Sequence, residues 1–112
     1  METVIYSGYG YRRQQVGICK DGTVYSSAGW SRTVVGSYSD GVIYSSYGWG
    51  KTLIGSYSNG DIYYGTGWGR NLVGTYENGD IYSGHGWGRT IVGTYDGTDG
   101  GAAAAALLLL DL

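Results

Sequence analysis

A chain of 112 residues and 11.9 kDa holds one domain, large enough to bury roughly two-thirds of the surface its unfolded form exposes. Gly (23) and Tyr (13) dominate, four Trp are present, and Phe and Pro are absent. A net charge of −2 gives no general pull toward nucleic acid, so none is expected as a partner, and a single cysteine, Cys19, excludes an intrachain disulfide framework.

The N-terminal segment enters a repeat at once. It has no basic start and no long apolar core, so it does not read as a secretory signal. The expected location is cytoplasmic, with a processed secreted form as the other possibility. From Tyr6 onward the chain repeats every 19 residues. Tyr6, Tyr25, Tyr44, Tyr63 and Tyr82 correspond, as do Gly17, Gly36, Gly55, Gly74 and Gly93. Basic residues recur as Arg13, Arg32, Lys51, Arg70 and Arg89, and tryptophans as Trp30, Trp49, Trp68 and Trp87. The first unit departs from the pattern: Tyr11 stands in the Trp position, and Cys19 where Tyr38, Tyr57, Tyr76 and Tyr95 stand.

Each unit contains a turn signal between β-forming residues: Asp21-Gly22, Asp40-Gly41, Asn59-Gly60 and Asn78-Gly79. Both residue types tolerate the positive φ that a two-residue type I′ hairpin turn demands. Around Asn78-Gly79 this pairs Tyr76 with Ile81, Thr75 with Tyr82 and Gly74 with Ser83. One face then carries Leu72, Gly74, Tyr76 and Ile81 and is expected to be buried. The other carries Val73, Thr75, Glu77, Asp80 and Tyr82. The mid-strand glycine is expected to admit an aromatic ring, with the loop Trp as candidate. Helix is not expected in the repeats, since each unit carries several glycines and each costs about 1 kcal/mol in a helix interior.

The fold class is therefore all-β: tandem 19-residue hairpins in an antiparallel meander, curled or closed into a barrel, since closure removes sticky edges. After a glycine hinge, Ala102 to Ala106 and Leu107 to Leu110 predict a short helix. This helix covers an apolar sheet face or plugs a barrel mouth, in the same chain or in another copy. The domains are 1–98, five hairpin units, and 99–112, hinge and apolar Ala/Leu tail. The nine-residue apolar run is too short to cross a bilayer as a helix.

The run from Gly74 through Tyr76, Asn78, Gly79 and Tyr82 to Gly84, with Gly93-Thr94-Tyr95, resembles a MORN repeat. That resemblance implies stacked hairpins and roles in membrane-lipid or protein scaffolding. The Gly-Trp pairs are also similar to choline-binding cell-wall repeats, where aromatics cage a quaternary amine.

No residue set points to catalysis. His85 is the sole histidine, and Ala28, Tyr47 and Thr66 take its place elsewhere. With Asp80 and Ser83 it makes a triad only on paper, no Cys/His cluster suits a metal, and no cofactor is expected. Gly65, Gly67 and Gly69 lack the helix that a phosphate loop requires. The row with functional shape is Trp30, Arg32, Trp49, Lys51, Trp68, Arg70, Trp87 and Arg89. Two roles are open to it: the Trp rings form core beneath Arg stems, or they meet a ligand. In the second case the chain is a non-enzymatic binding or scaffold module for a glycan, lipid headgroup or protein. The alternative is a structural protein polymerising through repeat ends or the tail, so a homo-oligomer is possible. A Gly79→Val variant should lose roughly 1–3 kcal/mol through strain at positive φ, checked by chemical denaturation.

Overall fold

The computed structural model describes residues 2–28, 31–46, 50–65, 67–84, 86–110 and 112. Ten strands follow in chain order: β1 (Glu2–Ser7), β2 (Gln14–Lys20), β3 (Thr23–Ala28), β4 (Ser31–Ser39), β5 (Val42–Ser45), β6 (Thr52–Ser58), β7 (Asp61–Tyr64), β8 (Asn71–Glu77), β9 (Asp80–Ser83) and β10 (Thr90–Asp96). A helix, α1 (Gly100–Leu109), ends the chain. Each strand pairs antiparallel with the next, and β1 pairs with β10 through Val4–Asp96, Ile5–Tyr95, Tyr6–Thr94 and Ser7–Gly93. The meander is thus a closed barrel. Its extents of 38, 38 and 21 Å have the two equal long axes that a ring of five like units requires.

The turns form as their chemistry dictates. Asp21, Asp40, Asn59 and Asn78 have φ of 51°, 51°, 50° and 49°, and the glycines after them also have positive φ. Both central residues are left-handed, which is the type I′ arrangement. The register around Asn78-Gly79 is Tyr76–Ile81, Thr75–Tyr82 and Gly74–Ser83, as the turn predicts. Each turn also holds the next unit: the N–H groups of Tyr38, Tyr57, Tyr76 and Tyr95 donate to the carbonyls of Gly22, Gly41, Gly60 and Gly79 at 2.8–2.9 Å.

Simple alternation fails at one place per unit. It puts Leu72 inside and Val73 outside. Across the ladder with β7, however, Ile62 pairs with Gly74 and Tyr63 with Leu72, so Val73 is the extra residue of a β-bulge. Val73 packs against the core, as do Val16, Val35, Ile54 and Val92 at the equivalent sites. The bulged carbonyls are not wasted. Those of Val35, Ile54, Val73 and Val92 accept from the N–H groups of Ser46, Gly65, Gly84 and Gly8.

The lumen is filled in layers. One layer is Cys19, Tyr38, Tyr57, Tyr76 and Tyr95, and Tyr76 meets Tyr95 edge to face at 6.3 Å. The next is Ile5, Val24, Ile43, Ile62 and Ile81, all fully buried. The third layer is Gly17, Gly36, Gly55, Gly74 and Gly93. α1 runs through these layers, and Ala102 to Ala106 are buried on every side. A helix that is apolar all round can only be stable when enclosed.

The glycine layer does not receive Trp. A Cβ on Gly36 or Gly55 would come within 2.6 or 2.8 Å of a methyl of Leu110 or Leu109, and also against the carbonyl of Tyr44 or Tyr63. Leu107 meets Gly93, Leu108 meets Gly74 and Leu112 meets Gly17 in the same way. Aromatic rings do lie on glycine, but at the hinge, where Tyr95 covers Gly100 and Tyr57 and Tyr76 cover Gly101. The hinge is anchored to β1, since the Asp99 N–H donates to Thr3 Oγ1 at 3.0 Å. The Tyr38 hydroxyl donates to Asp99 Oδ2 at 3.2 Å.

Burying four leucines contributes about 6–10 kcal/mol before ordering costs, comparable to the whole stability of a small domain. A chain truncated after Gly101 also leaves a hollow lumen. It should lose its cooperative thermal transition or associate, as read by circular dichroism and light scattering.

Candidate ligand-binding surface

Tight turns lie at one end of an up-and-down barrel and the longer connections at the other. The connections after β1, β7 and β9 each fold into a 3-10 turn, Gly10–Arg12, Gly67–Gly69 and Gly86–Gly88. Gly65, Gly67, Gly84 and Gly86 supply positive φ of 91°, 55°, 81° and 63°. Such a loop cannot fold its central ring back under itself. Trp68 and Trp87 are therefore fully exposed, each at 106%, and Tyr11 at 109% occupies the same position in the first unit. The rings of Trp68 and Trp87 are not core. Trp30 and Trp49 lie outside the described residues, as does His85.

The cations take a different place from the one the Trp–Arg spacing suggests. Four of them fold back over the tyrosine seven residues before them. Arg13 lies 3.9 Å from the Tyr6 ring centre, Lys51 4.3 Å from Tyr44, Arg70 4.0 Å from Tyr63 and Arg89 3.9 Å from Tyr82. A ring as exposed as Trp68 or Trp87 cannot lie beneath a guanidinium. The described part of the row thus separates into two tiers, Trp68 and Trp87 at the loop tips and Lys51, Arg70 and Arg89 stacked on tyrosines of the wall.

The wall cations differ in their carboxylate partners. Arg89 pairs with Glu77 at 2.9 Å and Arg13 with Asp96 at 3.7 Å. These are the same contact one unit apart, because Glu77 and Asp96 are repeat-equivalent. Arg32, whose equivalent partner position holds Lys20, turns instead to Glu2 at 3.4 Å. Ser58 and Ser39 stand in that partner position for Arg70 and Lys51. Among the described residues neither Arg70 nor Lys51 has a carboxylate within ion-pair reach.

Beside Arg70 the outer wall opens into a cleft of about 170 Å³. Val42, Leu53, Gly55 and Ser56 form one side, and Gly65, Gly67 and Arg70 the other. Ser56 stands where the next two units carry Thr75 and Thr94, whose hydroxyls are buried. The missing methyl leaves room. The acid partners and the cleft were missed from sequence because the acid occurs in only two units, twelve residues before its arginine around the ring.

No group of three or more metal-ligating side chains occurs among the described residues. Among them, too, no helix is long and apolar enough to cross a membrane. Cys19 is buried, and its thiol pKa is pushed up to about 12 by desolvation and then by the Asp99 charge. Burial raises the Tyr38 hydroxyl to about 12 and raises Tyr57 further. No protein-family model, curated protein or solved structure matches the chain.

The raised groups favour the folded state while they hold their protons. Their stabilising effect is whole below the ordinary thiol and phenol pKa values of 9.0 and 10.0 and is lost as pH rises toward about 12. Stability against urea should therefore fall between pH 9 and 12. At pH 8 a thiol reagent should label Cys19 only after denaturation, as read by mass spectrometry.

Proposed function

We propose that this chain is a non-enzymatic binding module that presents exposed indoles and wall cations to an extended ligand. The observation that carries this reading is the full exposure of Trp68 and Trp87 at repeat-related loop tips. An indole in water forgoes the burial that would stabilise it by some 2–3 kcal/mol, and the glycines beside it hold it out. Rings held in this way are available for stacking on a sugar face or an amphipathic surface. The repeat supplies the site several times, so weak single contacts add up on an extended ligand.

Two further observations weigh for binding over self-assembly. β1 pairs with β10, which leaves no repeat end open for head-to-tail growth. The apolar tail lies within its own barrel. The MORN-like theme widens the ligands worth screening to lipid and protein surfaces.

The experiment is a screen of glycan and lipid arrays, followed by titration of any hit with tryptophan fluorescence as the signal. Trp68→Ala with Trp87→Ala should weaken a hit at least about tenfold while melting stays within a few degrees, since surface changes away from the core cost little. Equal loss of binding and stability would assign the indoles to the scaffold instead.

A further inference from the structure

The five units provide an internal comparison. At Arg89 and Arg13 the wall guanidinium is neutralised by Glu77 and Asp96. At Arg70 the same position holds Ser58, a cleft opens alongside, and Trp68 stands fully exposed on the same loop. The fold therefore shows where a carboxylate can sit relative to this arginine, and the Arg70 unit is one of three that omit it.

Resting on the binding reading above, we propose that the Arg70 cleft takes an anionic sugar residue of a polysaccharide, a uronate, whose carboxylate occupies the place that Glu77 fills beside Arg89. Three features select a sugar over a bare anion. Arg70 stacks by its face on Tyr63, so the in-plane N–H donors along its edge stay available for a bidentate carboxylate. Val42 and Leu53 give the cleft an apolar wall, while Ser56 and the loop backbone offer polar groups. That mixture suits a pyranose, with C–H faces and hydroxyl edges. Trp68, flanked by Gly67 and Gly69, stands ready to stack on the adjoining sugar. Lys51, opposite Ser39, repeats the uncompensated charge one unit away. A polymer carrying a charge on each residue can meet both.

The test uses the full chain and four probes: an oligogalacturonate, its fully methyl-esterified counterpart, poly-glutamate, and vesicles containing phosphatidylserine. Binding is read by calorimetry and Trp fluorescence. The oligogalacturonate should bind at least about tenfold more tightly than the methyl ester, and more tightly than poly-glutamate or vesicles. Arg70→Gln should remove most of that preference, while Lys20→Gln, a cation lost outside the wall row, should leave it within about twofold. Ser58→Glu should build the neighbour's ion pair and close the site without lowering the melting temperature. Thr98→Glu, with the same added charge at the turn end, should still bind. Equal binding of acid and ester, preference for poly-glutamate or vesicles, or an unchanged affinity in Ser58→Glu would each overturn the proposal. If the preference fails but some probe binds and is lost with Trp68→Ala and Trp87→Ala, the binding reading stands without its uronate. If no probe binds and the array screen is also blank, both fall.

Discussion

The contact on which everything else depends is the meeting of leucine and glycine inside the barrel. A ten-stranded barrel is wider than its own inward side chains can fill, so it needs either a ligand or a plug. Here the plug is an α-helix. Successive residues on a helix turn by about 100°, so four consecutive leucines point around nearly the whole lumen. Leu107, Leu108, Leu109 and Leu110 meet Gly93, Gly74, Gly55 and Gly36, one unit after another in reverse chain order. Leu112, past the helix end at Leu109, meets Gly17 and completes the ring. A rotating ligand surface inside a rotating host explains why the tail is uniform in sequence: no face of it is different from another. It also explains why the same glycine recurs in each unit, where neither a leucine methyl nor a neighbouring carbonyl would tolerate a Cβ.

That interlock frees the exterior. The packed inner layers repeat because each inner position sees the same helix, while outer positions see only water and the adjacent unit. Ser58, Glu77 and Asp96 can therefore differ at equivalent sites without disturbing what lies beneath. An ion pair as exposed as Arg13–Asp96 contributes little to stability, typically about 0–1 kcal/mol. Its presence or absence bears on which wall cations remain open to a partner far more than on whether the barrel folds.

Most of the architecture was legible in the sequence, for reasons that can be named. The Asn/Asp-Gly pairs specify a two-residue turn by backbone sterics, and a turn fixes the register of the strands on either side. The all-round apolar tail could not remain in water, so some enclosure was implied. Two features were hidden. The bulge at Val73 shifts the alternation by one, and Leu72 and Val73 are too alike for hydrophobicity to reveal which of them points inward. The role of the tryptophans was hidden as well, because periodic aromatics serve core and surface equally well. What separates the two is φ at the flanking glycines, a property of the folded loop. The cation–tyrosine stacks follow from the same loop closure. Their regular spacing of seven was present in the sequence, but only the 3-10 turn brings its two ends together.

A barrel whose lumen is occupied by its own chain has no interior left to offer a ligand. Lumen-binding barrels keep a cavity, and here the Ile layer, the Ala run and the leucines close that space. Recognition is thereby moved to the wall and the loop end. There, the stack of Arg70 on Tyr63 does two things at once. It fixes the loop that carries Trp68, and it holds a guanidinium in one orientation before any ligand arrives. A side chain held in advance loses less rotamer freedom when it binds, so more of the contact energy goes into affinity. The units that hold a carboxylate in the same place have already used that preorganisation for an internal ion pair. Two of the side chains by which the Arg70 unit differs from them bear on this: Ser58 withholds the carboxylate, and Ser56, in place of a threonine, lines the cleft.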